Sequence, residues 1–316
     1  MALRIAQKLG VFALSLIGAS VLIFLITNAL PGNVAHVLLG TDATPDAVAE
    51  LEAQLGLDRP IALRYLEWIS GIASGDFGTS PLSGDPVLAL ITPRVGVTAW
   101  LVALGICGSL IIALPLGMLA ALKRRKWQGL AISAAAQFGM AIPVFWCGII
   151  FALVFAVWLR VLPPNGYVPL TEDPAEWLRH LVLPVLTLAL VQSAVLIRYV
   201  RSAFIEVLHE DYYRTARAIG WTPLRALLRH GVRNAAISLV TVVGLQLSSS
   251  LVGAIVVEQV YNLHGLGSLL LDKVAERDLV VVQGTVMLLV LAVLLINLLV
   301  DLSYQLIDPR QRGRQQ

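Results

Sequence analysis

The stretch VTAWLVALGICGSLIIALPLGMLAAL, residues 97–122, decides the class of this protein. It contains 26 residues and not one charged side chain. About 20 apolar residues are enough for a helix to cross the hydrocarbon core of a bilayer. The basic run KRRK follows immediately, at 123–126. The pattern predicts a membrane-spanning helix that ends at a charged turn.

The composition of the whole chain agrees with this prediction. Of its 316 residues, 58% are hydrophobic and 14% are charged, and the mean hydropathy is +0.81. A soluble domain has about 45–50% apolar and about 25% charged residues. The two cysteines, Cys107 and Cys147, lie in apolar stretches and predict neither a disulfide nor a metal site. Disordered, collagen-like and disulfide-stapled classes are excluded, which leaves a polytopic membrane protein.

Six apolar segments predict an all-α membrane protein with six transmembrane helices in a single domain, 1–316. The runs are continuous, as helices require, and do not alternate. Pro115, Pro143 and Pro184 fall inside them and are expected to be tolerated, because neighbouring helices satisfy the freed carbonyl groups. The predicted spans are 9–30, 97–122, 130–159, 181–197, 235–257 and 279–300.

The distribution of charge predicts the orientation. If the N-terminus is cytoplasmic, the inner segments hold 16 of the 23 Lys and Arg residues and 5 of the 20 acidic residues. Positive residues are enriched in cytoplasmic loops, so both termini are expected in the cytoplasm. The first span is longer than a signal-peptide core and is interpreted as a retained anchor. The inner segments are 1–8, 123–129, 198–234 and 301–316.

The first outer loop, 31–96, is predicted to be an extracytoplasmic insertion with two short helices. Thr44 is a natural N-cap for the first, and residues 60–71 form an amphipathic second one. The glycine-rich turn GDFGTS follows at 75–80. Two interpretations remain open, a folded cap with interfacial aromatic residues or a docking surface for an external protein. In the third outer loop, His264 has no partner at metal-ligand spacing.

The cytoplasmic loop 198–234 contains seven arginines and the segment DYYRTARAIGWTP at 211–223. Asp211 is expected to cap a helix over 212–219 that Gly220 terminates. Thr222 and Pro223 then start a second helix towards the fifth span. A basic loop that merely obeys the positive-inside rule is the alternative. A short helix that ends at a glycine and is followed by a proline favours a specific surface. On that surface the tyrosines and the small residues Ala216 and Ala218 are expected to contact another protein.

Polar residues inside the spans are candidates for a translocation pathway, because such residues usually face the bundle interior. The alternative for each is a hydrogen bond between helices. The interiors of the spans hold almost no ionisable residue, and the chain has no detectable inverted repeat, so a secondary transporter is disfavoured. The candidates are Asn28, Gln137, Gln192, Ser193, Gln246, Ser249 and Asn297, with Ser248 and Ser250 beside them.

The chain contains no Gly-x-x-x-x-Gly-Lys-Ser/Thr loop for nucleotide phosphates, so any ATP hydrolysis must occur on a partner. It also lacks a Ser-His-Asp set or a metal dyad facing a plausible pocket. The chain is therefore not expected to be an enzyme. A membrane-embedded structural or assembly subunit remains as a further alternative, although such a subunit needs no shaped cytoplasmic loop.

At this cytoplasmic loop the sequence resembles the permease subunits of bacterial ABC importers. The Glu and first Ala of their general Glu-Ala-Ala-x-x-x-Gly pattern are absent. The segment is instead similar to the Tyr-x-Arg-Thr-Ala-Arg-Ala-x-Gly form of the dipeptide/oligopeptide/nickel branch. Matching residues are Tyr212, Arg214, Thr215, Ala216, Arg217, Ala218 and Gly220, followed by Leu228, Arg229, His230, Arg233 and Asn234.

Further motifs of that branch occur along the chain in the same order. One departure is His264, where a proline often stands. The long first outer loop resembles that of the first of the two permeases in such systems. The motifs are Leu-Pro-Gly at 30–32, Gly-Asp-Phe-Gly-x-Ser at 75–80, Leu-Pro-Pro-x-Gly at 162–166, Glu-x-x-Tyr at 258–261, Gly-Leu-Gly at 265–267, Arg-Asp at 277–278, Gln-Gly at 283–284 and Asp-Pro-Arg at 308–310.

The resemblance implies a type I ABC importer permease fold in the bacterial inner membrane. It implies a second permease subunit, two ATPase subunits or domains that bind ATP and Mg, and an extracytoplasmic solute-binding protein. No cofactor, metal or nucleic acid is expected on this chain. The implied substrate is a di- or oligopeptide, with nickel, glutathione or another small solute as alternatives.

The resemblance also assigns residues to two docking sites. Those expected to couple to the ATPase are Tyr212, Tyr213, Arg214, Thr215, Ala216, Arg217, Ala218 and Gly220. Those expected to meet the binding protein are Asp76, Phe77, Gly265 and Gly267.

Overall fold

A computed structural model of the chain describes residues 2–29, 38–39, 44–54 and 56–307, almost entirely as helices. These ranges contain no extended strand; one bridge, between Thr79 and Pro86, closes a loop. The helices are α1 (Ala2–Ala29), α2 (Pro45–Gln54), α3 (Ile61–Ser74), α4 (Val87–Leu122), α5 (Trp127–Ala141), α6 (Val144–Phe151), α7 (Pro174–His209), α8 (Asp211–Ala218), α9 (Pro223–Ala226), α10 (Val232–Val260), α11 (Leu266–Glu276) and α12 (Leu279–Ile307). The π-helical segments Ala152–Trp158 and Leu227–Gly231 follow α6 and α9.

Within the residues that the structure describes, five unbroken helices are long and apolar enough to cross a membrane, in agreement with five of the predicted spans. Four of the five are longer than the apolar runs that predicted them, because a helix continues into the interface after its apolar run ends. The predicted span 181–197, for example, is the middle of α7. The spanning stretches are Ile5–Ala29, Val87–Leu122, Pro174–His209, Leu239–Val260 and Leu279–Ser303.

The third predicted span, 130–159, differs from the prediction because it is broken. Helices α5 and α6 meet at Ile142 and Pro143 with an angle of 100° between them. Ile142 is extended, with φ −81° and ψ 121°, since a residue before proline is pushed out of the helical region. Pro143 therefore ends a helix, whereas Pro184 is accommodated inside α7. Six spans result if the bent pair is counted as one.

Helix α7 begins at Pro174, seven residues before the predicted span 181–197. Asp173 caps it, since its Oδ1 accepts hydrogen bonds from the backbone N–H groups of Ala175 and Glu176, at 2.9 and 3.1 Å. The predicted cap at Thr44 is also confirmed: its hydroxyl accepts from the backbone N–H of Ala47, at 3.4 Å, and α2 begins at the next residue.

The sequence predicts a single domain, and the structure groups the chain into two compact units. Residues 1–97 and 264–295 form the first unit, and residues 98–263 and 296–316 form the second. The predicted outer insertion belongs to the first unit, and the predicted cytoplasmic loop belongs to the second.

Helix α7 is the central element of the second unit, and glycines let other helices approach it closely. Gly105 and Gly117 of α4 lie against Leu188 and Val200 of α7. A Cβ added at either glycine would stand 2.6 Å from the side chain it faces. Close approach matters in a membrane, because van der Waals contact replaces the hydrophobic effect as the force between helices.

In the first unit, loop 75–86 packs on the N-terminal end of α12. The hydroxyl of Ser80 donates to Oδ2 of Asp278, at 2.5 Å, and both side chains are buried. Gly78 and Gly284 make room for this contact, because a Cβ on either would stand 3.2 Å or less from a valine methyl group. The loop is thereby held in one shape on α12.

Replacing Gly117 with alanine should destabilise the second unit. The new methyl group would stand 2.7 Å from Cβ of Val200 and 3.1 Å from the carbonyl oxygen of Ile197. Such overpacking costs about 1–3 kcal/mol. We expect a lower thermal midpoint in detergent for Gly117→Ala.

The matched control is Gly96→Ala in the same helix, where an added Cβ meets nothing within 4 Å. That variant should keep or raise the midpoint, since alanine is the better helix former. Equal midpoints for the two variants would contradict the packing described.

Candidate coupling surface and pathway residues

The segment predicted to contact an ATPase forms a short helix, α8, with a sharp end. Gly220 has φ +95°, which confirms the predicted left-handed stop; a Cβ there would meet nothing within 4 Å, so the constraint is the backbone angle. The expected cap is different. Glu210 occupies the N-cap position without a side-chain bond, and Asp211 is the first helical residue. The carboxylate of Asp211 instead lies 3.5 Å from Arg214, and both side chains are exposed.

Helix α8 has one buried face and one exposed face. Tyr213 and Ala216, which were expected to offer contact area to a partner, are buried inside this chain, at 9% and 4% exposure. They belong to a core cluster with residues of α4, α7 and α10, and Tyr212 is half-buried against it. The exposed residues of the predicted set are Arg214, Thr215, Arg217, Ala218 and Gly220.

An open groove with basic and apolar walls lies directly after α8. Its volume is about 660 Å³ and its lining includes Trp221, Leu224 and Leu228. The guanidinium carbon of Arg225 lies 4.9 Å from the ring centroid of Trp221, within cation–π range. Arg217 donates a hydrogen bond to the carbonyl oxygen of Trp221, which joins α8 to the groove.

The chain passes from this groove straight into a spanning helix. The hydroxyl of Thr222 accepts from the backbone N–H of Arg225, at 3.3 Å, and Pro223 begins α9, as the sequence predicts. A π-helical segment, Leu227–Gly231, then leads without a break into α10. Gly231 allows close approach to α7, because a Cβ there would stand 2.8 Å from Val207.

Most of the predicted pathway residues bond to other residues of this chain. Gln192 of α7 donates to Ser250 of α10 at 2.9 Å and accepts from Gln246, and all three are buried. Ser248 of α10 donates to Asn297 of α12 at 3.1 Å. These contacts favour the alternative interpretation, helix–helix hydrogen bonds.

The remaining candidates divide into bonded and exposed residues. Ser193 donates to the carbonyl oxygen of Leu190 within α7, and Oδ1 of Asn28 accepts from Arg64 at 2.7 Å. Gln137 and Ser249 are exposed. Ser249 bonds only its own helix backbone, at 3.2 Å from the carbonyl oxygen of Leu245. Gln137 and Ser249 are therefore the two exposed residues among the candidates.

Of the four residues expected to meet a binding protein, three are buried or half-buried within this chain. Gly265 and Gly267 are buried, and Phe77 is half-buried against a core cluster at the start of α12. Asp76 is exposed, and its Oδ1 accepts from the backbone N–H of Gly78 at 2.9 Å. Asp76 is the one exposed member of the set.

Two buried carboxylates were not singled out from the sequence as site residues. Glu258 at the end of α10 is fully buried, and its Oε1 accepts from the hydroxyl of Thr98 at 2.6 Å. Asp278 is equally buried and bonds Ser80. Each pair is separated by more than 150 residues in sequence, so no local pattern reveals it. The sequence did carry two signals: each residue is an acidic one at the edge of an apolar run, and each stands in one of the motifs Glu-x-x-Tyr and Arg-Asp.

Comparison with known proteins gives the class of the chain. The family model "Binding-protein-dependent transport system inner membrane component" matches residues 113–313, and the model of its N-terminal part matches residues 2–98. The chain belongs to this family and is a multi-pass inner membrane permease component. The predicted resemblance is thereby confirmed.

Particular relatives cover nearly the whole chain. One from Brucella abortus (strain 2308), named as a peptide transport system permease protein, is 37% identical over 309 residues, 98% of this chain and 97% of the relative. The glutathione transport system permease protein GsiC of Salmonella choleraesuis (strain SC-B67) is 40% identical over 298 residues, 94% of this chain and 95% of the relative.

A solved structure confirms the type I importer permease fold. An inward-facing conformation of the MetNI methionine ABC transporter matches with a TM-score of 0.58, covering 70% of this chain and 97% of that chain. Sequence identity is 18%, so this likeness concerns the fold alone.

The buried amide network should matter for stability. Gln192→Ala removes the side-chain acceptor of Gln246 and the donor to Ser250, whose hydroxyl keeps only its 2.7 Å bond to the carbonyl oxygen of Gln246 within α10. Hydrogen bonds between transmembrane helices contribute about 0.6 kcal/mol on average and about 1.7 kcal/mol at most. A lower thermal midpoint in detergent is expected. Ser249→Ala, at an exposed position one residue from Ser250, is the control and should leave the midpoint unchanged; a drop of equal size in both variants would refute the assignment.

Proposed function

We propose that this chain is one permease subunit of an ATP-driven importer that moves di- or oligopeptides into the cell. An extracytoplasmic binding protein delivers the solute, and ATP-driven closure of partner ATPase subunits moves α8. The spanning helices then re-orient between outward-open and inward-open states. The complex would contain a second, distinct permease and two ATPase subunits or domains.

The observation that carries this proposal is the two-faced packing of α8. Tyr213 and Ala216 fix the helix to a core cluster that includes Phe204 of α7 and Leu239 of α10. Arg214 and Arg217 are exposed on the same helix. A force applied to the exposed face is therefore passed to two spanning helices through close-packed contacts, which are stiff.

The groove after α8 extends the surface available to an ATPase. Leu224 and Leu228 are each 51% exposed, and Arg225 and Arg229 line the same groove. Together with Arg214 and Arg217 these side chains form an apolar surface with four positive charges. Such a surface suits a partner with acidic side chains around an apolar patch. ATP and Mg would bind to that partner, which supplies the hydrolysis.

The uncharged interior of the spans supports a peptide as the solute. Gln137 and Ser249 are neutral, and neither fixes one particular ion. A pathway of this kind tolerates varied side chains, and selectivity then lies mainly in the binding protein. The Brucella relative is named for peptide transport and the Salmonella relative for glutathione, itself a tripeptide, so glutathione is the second candidate solute.

Reconstitution tests the proposal directly. The chain is co-expressed with its neighbouring permease and ATPase genes and placed in proteoliposomes, and ATP hydrolysis is measured with and without peptide-loaded binding protein. We expect co-purification of an ATPase, stimulated hydrolysis and ATP-dependent peptide uptake. If ATP hydrolysis were stimulated by glutathione alone, the proposed substrate would change from di- or oligopeptides to glutathione. If no ATPase co-purifies, the importer proposal is wrong.

Gly220 gives a residue-level prediction within this function. Gly220→Val should impair uptake while the chain still inserts, because a β-branched residue resists the left-handed angle that ends α8. Gly220→Asn is the matched variant, since asparagine tolerates that conformation, and it should retain most of the uptake. Uptake and membrane abundance are measured together; normal uptake by the valine variant would contradict this role.

A further inference from the structure

Helix α3, in the outer insertion, has an apolar arc wider than the surface that packs against α1. At 100° per residue its apolar and aromatic side chains, except Leu63, form one continuous arc of about 160°. Only one part of that arc meets α1. Leu66 and Ile61 remain 59% and 51% exposed. The arc consists of Trp68, Ile61, Ile72, Tyr65, Ile69, Ala62, Ala73 and Leu66.

Three contacts fix α3 on the outer half of α1. The phenol oxygen of Tyr65 lies 2.8 Å from the hydroxyl of Ser20, which also donates to the carbonyl oxygen of Ile17. The ring of Phe24 lies 5.5 Å from that of Tyr65 and 5.7 Å from that of Trp68, measured between centroids. Ser20 and Phe24 are both buried.

The depth of these contacts follows from the length of α1. The apolar run from residue 9 to residue 27 is about 28 Å long, which matches a hydrocarbon core of about 30 Å. Ser20 is 12 residues from Lys8, or about 18 Å, and therefore lies just beyond the middle of the bilayer. Shifting α1 outward would draw Lys8 into hydrocarbon. The side chain of Tyr65 must then reach into the outer half of the membrane.

The charged residues around α3 lie at the level of the membrane boundary. Arg64 donates to Asn28, which is about 12 Å further out than Ser20, and Arg59 is paired with Glu67 at 3.0 Å. The aromatic rings thus lie nearer the centre of the bilayer and the charged groups lie further out. This is the arrangement found at a membrane–water interface.

We propose that α3 is an interfacial helix embedded in the outer leaflet, and that lipid acyl chains cover the exposed part of its apolar arc. The arc lies at the same depth as the membrane-facing side chains of α1, where Leu22 and Ile26 are 60% and 59% exposed. The surface of α3 therefore continues one that already faces lipid. The outer insertion is thus anchored in the membrane at α3 and is not a wholly aqueous cap.

Spin-label accessibility tests this placement. Single cysteines are introduced at Leu66 and, as a matched control, at Ser74 on the polar arc of the same helix, in a variant lacking Cys107 and Cys147. A third label at Leu22 of α1 gives the lipid reference. The full chain with its partner subunits is placed in proteoliposomes, and collision rates with oxygen and with a water-soluble nickel chelate are compared.

We expect the ratio of oxygen to nickel collisions at Leu66 to approach that at Leu22 and to exceed that at Ser74 several-fold. A ratio at Leu66 equal to that at Ser74 would overturn the proposal. A label at Leu66 that is water-accessible alone and shielded only when binding protein is added would also overturn it and identify a protein-docking face. Neither result depends on whether the importer transports peptide.

Discussion

The close approach of α4 to α7 is the contact on which the second unit depends. Lipid tails are as apolar as leucine, so helices in a membrane gain little from hydrophobic burial and associate where backbones can come near. Gly105 and Gly117 provide that approach, because neither presents a Cβ to Leu188 or Val200. Helix α10 also approaches Leu188, because a Cβ added at Gly253 would stand 3.0 Å from that side chain. The amide of Gln192 bonds Gln246 and Ser250 between α7 and α10.

Close packing around α7 continues to the end of that helix that is predicted to be cytoplasmic. Helix α7 continues well past its apolar middle to His209, and α8 turns back against it. The buried face of α8 shares a cluster with α4, α7 and α10, so its position is determined by the core and not by a flexible tether. The short helix is thereby a rigid extension of the membrane bundle. The proposed coupling role requires that property, and the packing depends on Tyr213 and Ala216, which are the buried residues of α8.

The sequence predicted the five unbroken spans, the caps at Thr44 and Thr222 and the left-handed Gly220, because hydropathy, capping and glycine stops are local properties. It did not predict the 100° bend at Pro143, since Pro184 is tolerated in an equally apolar run and local sequence does not separate the two cases. The burial of Tyr213 and Ala216 and the bonding of Gln192 depend on contacts between distant segments. Glu258 and Asp278 stand in family motifs of the sequence, but their buried hydrogen bonds were not predicted, for the same reason.

The central claim is that α8 and the bundle move as one body, and a distance measured between them tests it most directly. Spin labels at Arg217 of α8 and Leu245 of α10, both exposed, can be placed in the assembled complex and measured by pulsed electron resonance in the nucleotide-free and ATP-trapped states. The account predicts the same distance distribution in both states. A shift of the distribution on ATP trapping would show that α8 moves independently of the bundle and would contradict the account.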